Sequence, residues 1–92
     1  MIGESDIEFR RRRLLFRSAH RGSKELDLIL GPFAKRHLET FDTGQLDRYE
    51  LLLEIPDPEL YNWLVGRAPV PDDARSDVMD LLLSFDPSRL NP

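Results

Sequence analysis

Residues 55–59, Ile55-Pro56-Asp57-Pro58-Glu59, decide how the chain is divided into helices. A residue that precedes proline is pushed out of the helical region, so Ile55 predicts the end of one helix. Asp57 then predicts the cap of the next helix, with Pro58 at its first position and Glu59 favoured by the helix dipole. Two helices joined by a very short turn therefore stand in the middle of the sequence.

Helix signals continue on both sides of this turn. Asp42 and Gln45 have the spacing of a capping box, which predicts that the preceding helix begins at Asp42. Gly66 predicts a left-handed stop for the following helix. The inward positions of these two helices are apolar or aromatic: Leu46, Tyr49, Leu52, Leu53, Leu60, Trp63 and Leu64.

Two more helices are predicted before residue 42. Ser5 and Glu8 form another capping box, so the first helix is expected to begin at Ser5 and to carry a strongly basic face. Ser23 predicts the cap of the second helix, whose apolar residues recur at helical spacing. Gly31-Pro32 lies inside this second helix and is expected to bend it or to break one backbone bond.

A fifth helix is predicted from Asp72 to Phe85, closed by Asp86-Pro87. Nothing alternates with period two for long enough to predict a strand. We therefore expect an all-α fold, a compact bundle of five short helices forming a single domain over residues 1–92, with an ordered part of about 5–87. The predicted core consists of Leu26, Ile29, Phe33, Leu53, Leu60, Trp63, Leu64, Val78 and Leu82.

The composition excludes several protein classes. The 92 residues contain no cysteine, which rules out a disulfide scaffold, a thiolate metal site and a cysteine nucleophile. No apolar run exceeds four residues, far from the roughly 20 that span a bilayer, so we expect no membrane insertion. No apolar signal segment follows Met1, and the expected location is the bacterial cytoplasm, or the mitochondrial matrix if the source is eukaryotic.

Charge is distributed unevenly along the chain, although the net charge is only −4. Residues 1–24 hold seven of the 13 Lys and Arg residues against three acidic ones, and the remainder carries a charge of −8. The basic segment could pair with the acidic body of the same molecule, or it could present a positive surface to a partner. Composition does not choose between these arrangements.

Enzyme signatures are absent from the sequence. His20 and His37 are the two histidines, and neither has a metal-ligand companion at suitable spacing. No glycine-rich phosphate loop and no nucleophile elbow occurs. We therefore predict no catalytic residue and no metal site.

The arginine run 10–13 admits three interpretations: contact with phosphate, docking to an acidic protein surface, or a solvated helix face. The −8 charge of the remaining chain would repel a nucleic acid backbone, which argues against binding nucleic acid. A small basic-armed protein that binds nucleic acid or regulates another protein stays as the alternative function.

The stretch 21–27, Arg21-Gly22-Ser23-Lys24-Glu25-Leu26-Asp27, also has two interpretations. As structure, Gly22 would be a turn residue, and Glu25 and Asp27 would favour the dipole of the helix that follows. As a docking surface, a residue without a side chain would let a partner's backbone approach while neighbouring charges fix the register.

This stretch resembles the succinate dehydrogenase assembly factor family through the motif Arg21-Gly22-x-x-Glu25, extended by Leu26-Asp27. A second match is residues 57–64, Asp57-Pro58-Glu59-Leu60-Tyr61-Asn62-Trp63-Leu64, and together the resemblance covers about residues 10–85. Two departures occur. Ser23 stands where the family often has methionine, and Phe16 stands where a tryptophan is expected.

The resemblance implies a non-enzymatic assembly factor, expected to be a monomer. It implies binding to the flavoprotein subunit of succinate dehydrogenase, with fumarate reductase as a second candidate, and promotion of covalent FAD attachment to that subunit. The FAD would belong to the partner, with no cofactor held stably by this chain. The partner-binding residues that it implies are Arg21, Gly22 and Glu25, with Asp27, Arg13 and Arg17 as lesser candidates.

Overall fold

The computed structural model describes residues 6–85, in which five α-helices form one globule and no strand occurs. The all-α prediction is therefore confirmed. None of the helices in this range is long and apolar enough to cross a membrane. The helices are α1 (Asp6–Ala19), α2 (Lys24–His37), α3 (Thr43–Leu53), α4 (Asp57–Leu64) and α5 (Asp77–Leu83), with 3₁₀ turns at Leu38–Thr40 and Asp72–Ala74.

Several predicted helix ends are confirmed. The Ser23 hydroxyl accepts the backbone N–H of Leu26 at the start of α2, and Asp42 with Gln45 forms a complete capping box at α3. Gly66 follows α4 with a φ of +79°. Ser5, predicted to begin the first helix, and Asp86-Pro87, predicted to close the last one, lie outside the described residues.

Two helix starts differ from the prediction. Asp57 is the first residue of α4 rather than its cap, which is Pro56 without a side-chain bond, because the Asp57 carboxylate accepts hydrogen bonds from Arg21 instead. The last helix begins at Asp77 rather than Asp72. The Ser76 hydroxyl caps it by accepting the N–H of Met79.

Helix α2 continues through Gly31-Pro32 from Lys24 to His37, so these two residues do not divide it. Gly31 is buried against α1, where an added Cβ would stand 3.6 Å from the Cβ of Ala19. A small residue at this position lets the two helix backbones approach closely. Close packing of α1 on α2 therefore lies next to the position where Pro32 supplies no backbone N–H donor.

The core lies between all five helices. Six of the nine predicted core residues are buried, whereas Ile29, Trp63 and Leu64 are only partly buried and pack against its edge. Helix α4 has eight residues, and Leu60 is the one that it buries fully. The structure also buries Leu46, Tyr49 and Leu52, which were predicted to point inward, together with Leu14, Leu30, Ala34, Leu38, Phe41 and Met79.

A buried polar pair joins α1 to α3 inside this core. The Ser18 hydroxyl donates to the carbonyl of Leu14 at 2.8 Å, so the Tyr49 hydroxyl, which lies within hydrogen-bond distance of Ser18, acts as donor to it. Burial raises the pKa of Tyr49 to about 12. The neutral phenol is therefore the form that the fold accommodates.

We predict that Tyr49 contributes to alkaline unfolding. An unfolded tyrosine titrates near pH 10 and the folded one near 12. The stabilisation of the folded state by the neutral phenol is therefore fully present below pH 10 and is lost as the pH rises to 12. The loss amounts to about 3 kcal/mol in the free energy of unfolding. Urea titrations of Tyr49→Phe and the unmodified protein between pH 9 and 12 measure it.

The matched control is Tyr61→Phe, because Tyr61 is only partly buried at the edge of the core. Its stability should decline with pH as steeply as that of the unmodified protein, whereas Tyr49→Phe should decline less steeply. Equal pH dependence in all three proteins would contradict the prediction.

Candidate docking surface

The connection between α1 and α2, residues 20–23, carries the first motif and forms a tight turn. Gly22 has a φ of +102°, a conformation that L side chains adopt only with strain. It is exposed, and no atom lies within 4 Å of the place where a Cβ would stand. Gly22 is thus a turn residue, as the structural interpretation predicted, and it is also open to an approaching backbone.

The side chain of Arg21 points into the protein and is 11% exposed. Its Nη1 donates to the carbonyl of Leu53 and its Nη2 to the carbonyl of Ile55, both at 2.7 Å. Its Nε donates to Oδ1 of Asp57 at 2.8 Å. Arg21 therefore satisfies carbonyls that the end of α3 leaves without helical donors.

The other residues of the motif lie on the outer side of the turn. Asp27 Oδ1 accepts the backbone N–H of Arg21 at 2.8 Å, which closes the turn around Gly22. Glu25 is exposed in the first turn of α2, and its carboxylate accepts a hydrogen bond of 3.3 Å from Ser23. The structure thus brings together Arg21, Gly22, Glu25 and Asp27, with Gly22 and Glu25 accessible from outside.

The basic face of α1 packs against acidic residues of α3. Arg10 Nη2 lies 2.6 Å from Asp47 and 2.8 Å from Glu50, and these carboxylates raise the pKa of Arg10. Arg17 lies 3.0 Å from Glu54 and 3.8 Å from Glu50. The uneven charge of the sequence therefore joins two helices of the same molecule.

Arg11 and Arg13 differ in how far the fold uses them. Arg11 donates to the carbonyls of Leu38 and Phe41, both at 2.8 Å, so it binds the end of α2 and its 3₁₀ turn. Arg13 is 51% exposed and lies 3.9 Å from Glu50, with its guanidinium 5.8 Å from the centre of the Phe9 ring. Of the two arginines of α1 that were candidates for partner binding, Arg13 is more accessible than Arg17.

We predict that Arg10→Gln lowers the free energy of unfolding by about 1 kcal/mol, the upper end of the range for ion pairs at a protein surface. Arg13→Gln should change it by less than about 0.5 kcal/mol. Urea unfolding at 20 mM and 500 mM salt measures both variants. The Arg10 effect should shrink at high salt, because ions screen exposed pairs. Equal losses in the two variants would contradict this account of the basic helix.

An apolar groove runs between α1 and α2 beside the turn. Its apolar wall includes Leu15, Phe16 and Pro32, and the basic side chain of Lys35 also lines it. Phe16 is 64% exposed and stacks on His20 with 4.1 Å between ring centres. The sequence marked Phe16 only as a departure from the family pattern. In the structure it belongs to a contiguous apolar surface with Leu15 and Pro32, and such surfaces are typical of interaction sites.

Leu28 extends the apolar surface along α2. It is 61% exposed and precedes Pro32 by four residues, which places both on one face of the helix. Sequence reasoning placed Leu28 neither in the predicted core nor among the candidate site residues. Its neighbour Ile29 faces the core instead.

The two histidines are separated by the fold. His20 lies at the end of α1 against Phe16, whereas His37 packs among Phe33, Phe41 and Phe85. Burial, with a smaller effect of Arg36, lowers the pKa of His37. Over residues 6–85, His, Asp and Glu side chains form no group of three that could hold a metal ion.

Comparison with known proteins gives a consistent result. Residues 12–86 match the family described as flavinator of succinate dehydrogenase. An FAD assembly factor of Acetobacter pasteurianus is 40% identical over 78 residues, which cover 85% of this chain and 72% of the relative. This relative is named as an assembly factor rather than as an enzyme.

Mitochondrial proteins named succinate dehydrogenase assembly factor 2 are also similar. The one from Dictyostelium discoideum is 41% identical over 78 residues, covering 85% of this chain and 55% of the relative. The one from Danio rerio is 35% identical over 85 residues, covering 90% of this chain and 54% of the relative. The chain thus spans just over half the length of these two mitochondrial relatives.

Proposed function

This chain belongs to the family of flavinators of succinate dehydrogenase, and we propose that it binds the flavoprotein subunit of that enzyme and promotes covalent attachment of FAD. The observation that carries the proposal is the exposed turn at Gly22, which lies beside Glu25 and the apolar groove. This combination offers a partner a backbone to approach, a charge and an apolar surface. Fumarate reductase is a second candidate partner.

The proposed action is conformational rather than catalytic. The accessible part of the motif contains one carboxylate, Glu25, and its hydrogen bond is to the hydroxyl of Ser23 rather than to a second titrating side chain. Acid–base catalysis needs a proton donor or acceptor held within hydrogen-bond distance of the reacting group. A factor that binds one arrangement of the flavoprotein more tightly raises the population of that arrangement. The flavin and the residue to which it becomes attached would then be held close together in a reactive orientation, which lowers the entropic cost of the reaction.

FAD is the partner's group in this proposal, and this chain would act as a monomer without holding the cofactor stably. Relatives occur in a bacterium and in mitochondria. We therefore place the factor with its partner, in the cytoplasm of a bacterium or in the mitochondrial matrix of a eukaryote. The internal pairing of Arg10, Arg11 and Arg17 favours this function over binding of nucleic acid, since those guanidinium groups already have partners.

The first test replaces Gly22 with arginine. Gly22→Arg should weaken binding to the flavoprotein at least a hundredfold, because a long side chain would stand between two close backbones. A hundredfold loss corresponds to about 2.7 kcal/mol. Binding is measured by titrating the purified flavoprotein subunit with labelled factor, and the melting temperature is recorded in parallel.

Gly66→Arg is the matched control. Gly66 also has positive φ, at +79°, and has open space around its Cβ position, so the backbone strain is similar while the site is different. Gly66→Arg should melt like Gly22→Arg and bind like the unmodified factor. Equal weakening by both substitutions, or loss of the helical signal in Gly22→Arg alone, would contradict the docking role of Gly22.

The second test concerns Glu25. Glu25→Gln should raise the factor concentration that gives half-maximal flavin attachment by about tenfold, in line with loss of one charge-assisted hydrogen bond. The maximal rate at saturation should stay unchanged, because the carboxylate contributes to docking. The measurement follows covalent flavin on apo-flavoprotein with excess FAD while the factor is titrated.

Glu39→Gln is the control for Glu25→Gln, since Glu39 is exposed on the 3₁₀ turn after α2. It should reproduce the unmodified titration curve. A saturating rate for Glu25→Gln that is a hundredfold below normal, with binding shown to be complete, would instead indicate a proton-transfer role for Glu25. That outcome would overturn the proposed conformational action.

A further inference from the structure

Asp57 connects the two sequence motifs through the side chain of Arg21. We propose that Asp57 is a positioning residue for the docking turn, residues 20–23, which it holds in place by fixing Arg21. The inference rests on the proposed function for its biological meaning, although its structural part can be tested without a partner. In this inference, Asp57 of the second motif (residues 57–64) positions the first motif (residues 21–27).

The contacts of Arg21 fix the residue at both ends. Its backbone N–H donates to Asp27 Oδ1 at 2.8 Å. Its guanidinium donates from Nε to Asp57 and from Nη1 and Nη2 to the carbonyls of Leu53 and Ile55. Because Gly22 follows directly, the position of the exposed turn depends on how firmly Arg21 is held.

Asp57 is the charged acceptor among the three groups that bind the guanidinium. Hydrogen bonds between ionised groups are roughly twice as strong as neutral ones, and Asp57 contacts both Nε and Nη2 of Arg21. The Asp57 side chain is 30% exposed, so solvent screens the pair only in part. The carbonyls of Leu53 and Ile55 set the direction of the guanidinium, and Asp57 supplies the opposite charge.

Helix capping does not account for Asp57. Helix α4 has Pro56 as its N-cap and makes no side-chain cap bond. The other carboxylate of its first turn, Glu59, is exposed and already provides negative charge near the positive end of the dipole. The geometry therefore assigns the Asp57 carboxylate to Arg21 rather than to its own helix.

The test uses Asp57→Asn in the full chain. This variant keeps the shape of the side chain and removes its charge. We expect the factor concentration for half-maximal flavin attachment to rise about tenfold, within the range of coupling between contacting residues, and the saturating rate to stay unchanged. Rescue by added factor would show that docking, and not a later step, has been weakened.

Asp77→Asn is the matched control. Asp77 pairs with Arg48 at 2.7 Å and accepts two hydrogen bonds from its guanidinium, so it also joins two helices through an Arg–Asp pair. That pair links α3 to α5, and its hydrogen bonds do not reach residues 20–23. Asp77→Asn should bind the flavoprotein normally even if it lowers the melting temperature as much as Asp57→Asn does.

A double variant separates positioning from direct contact. If Asp57 acts through Arg21, then Arg21→Gln combined with Asp57→Asn should bind no more weakly than Arg21→Gln alone. Independent losses that add in the double variant would show that Asp57 touches the partner itself. That result would overturn the inference while leaving the proposed function in place.

Amide hydrogen exchange gives a readout without any partner. The Arg21 amide should exchange at least fivefold faster in Asp57→Asn and at the normal rate in Asp77→Asn, because only the first variant loosens the turn. Unchanged exchange in Asp57→Asn would overturn the inference. Failure of the unmodified factor to bind the flavoprotein would instead overturn the proposed function, and exchange would still decide whether Asp57 holds the turn.

Discussion

The arrangement around Arg21 depends on one constraint: an α-helix ends with carbonyls that lack helical donors. The end of α3 meets this constraint with a side chain from a distant part of the sequence, because Arg21 binds the carbonyls of Leu53 and Ile55. The same guanidinium binds Asp57 at the start of α4. A single residue thereby links the end of α3 to the start of α4 and to the turn that leads into α2.

The uneven charge of the chain also holds helices together, through ion pairs between α1 and α3. Arg10 and Arg17 of α1 pair with Glu50 on α3, so the basic segment is held against the body of the molecule. Each exposed pair contributes little to stability, but a network that shares one carboxylate restricts how α1 can shift along α3. Since α1 leads into the turn at residues 20–23, this network and the Arg21 contacts both restrain the position of Gly22.

Local signals in the sequence predicted the number of helices and several of their ends, because a cap and its helix are neighbours in the chain. The cap at Ser23 and the capping box at Asp42 are of this kind. Asp57 was assigned wrongly for the opposite reason: its local neighbours favour a cap, while its carboxylate is bound by a residue 36 positions away. The spacing of apolar residues along the sequence does not reveal contacts between residues that are distant in the chain.

The candidate site shows the same limit. The motif falls on a turn, but the sequence did not show that Arg21 faces inward while Gly22 faces out. Long-range contacts divide the motif into a part that holds the turn and a part that a partner can reach. With Arg21 bound internally, the groups of this region that stay accessible to a partner are the Gly22 backbone, the Glu25 carboxylate and the apolar surface of Phe16. Under the proposed function, a surface of this kind would select the flavoprotein by its shape and by one charge.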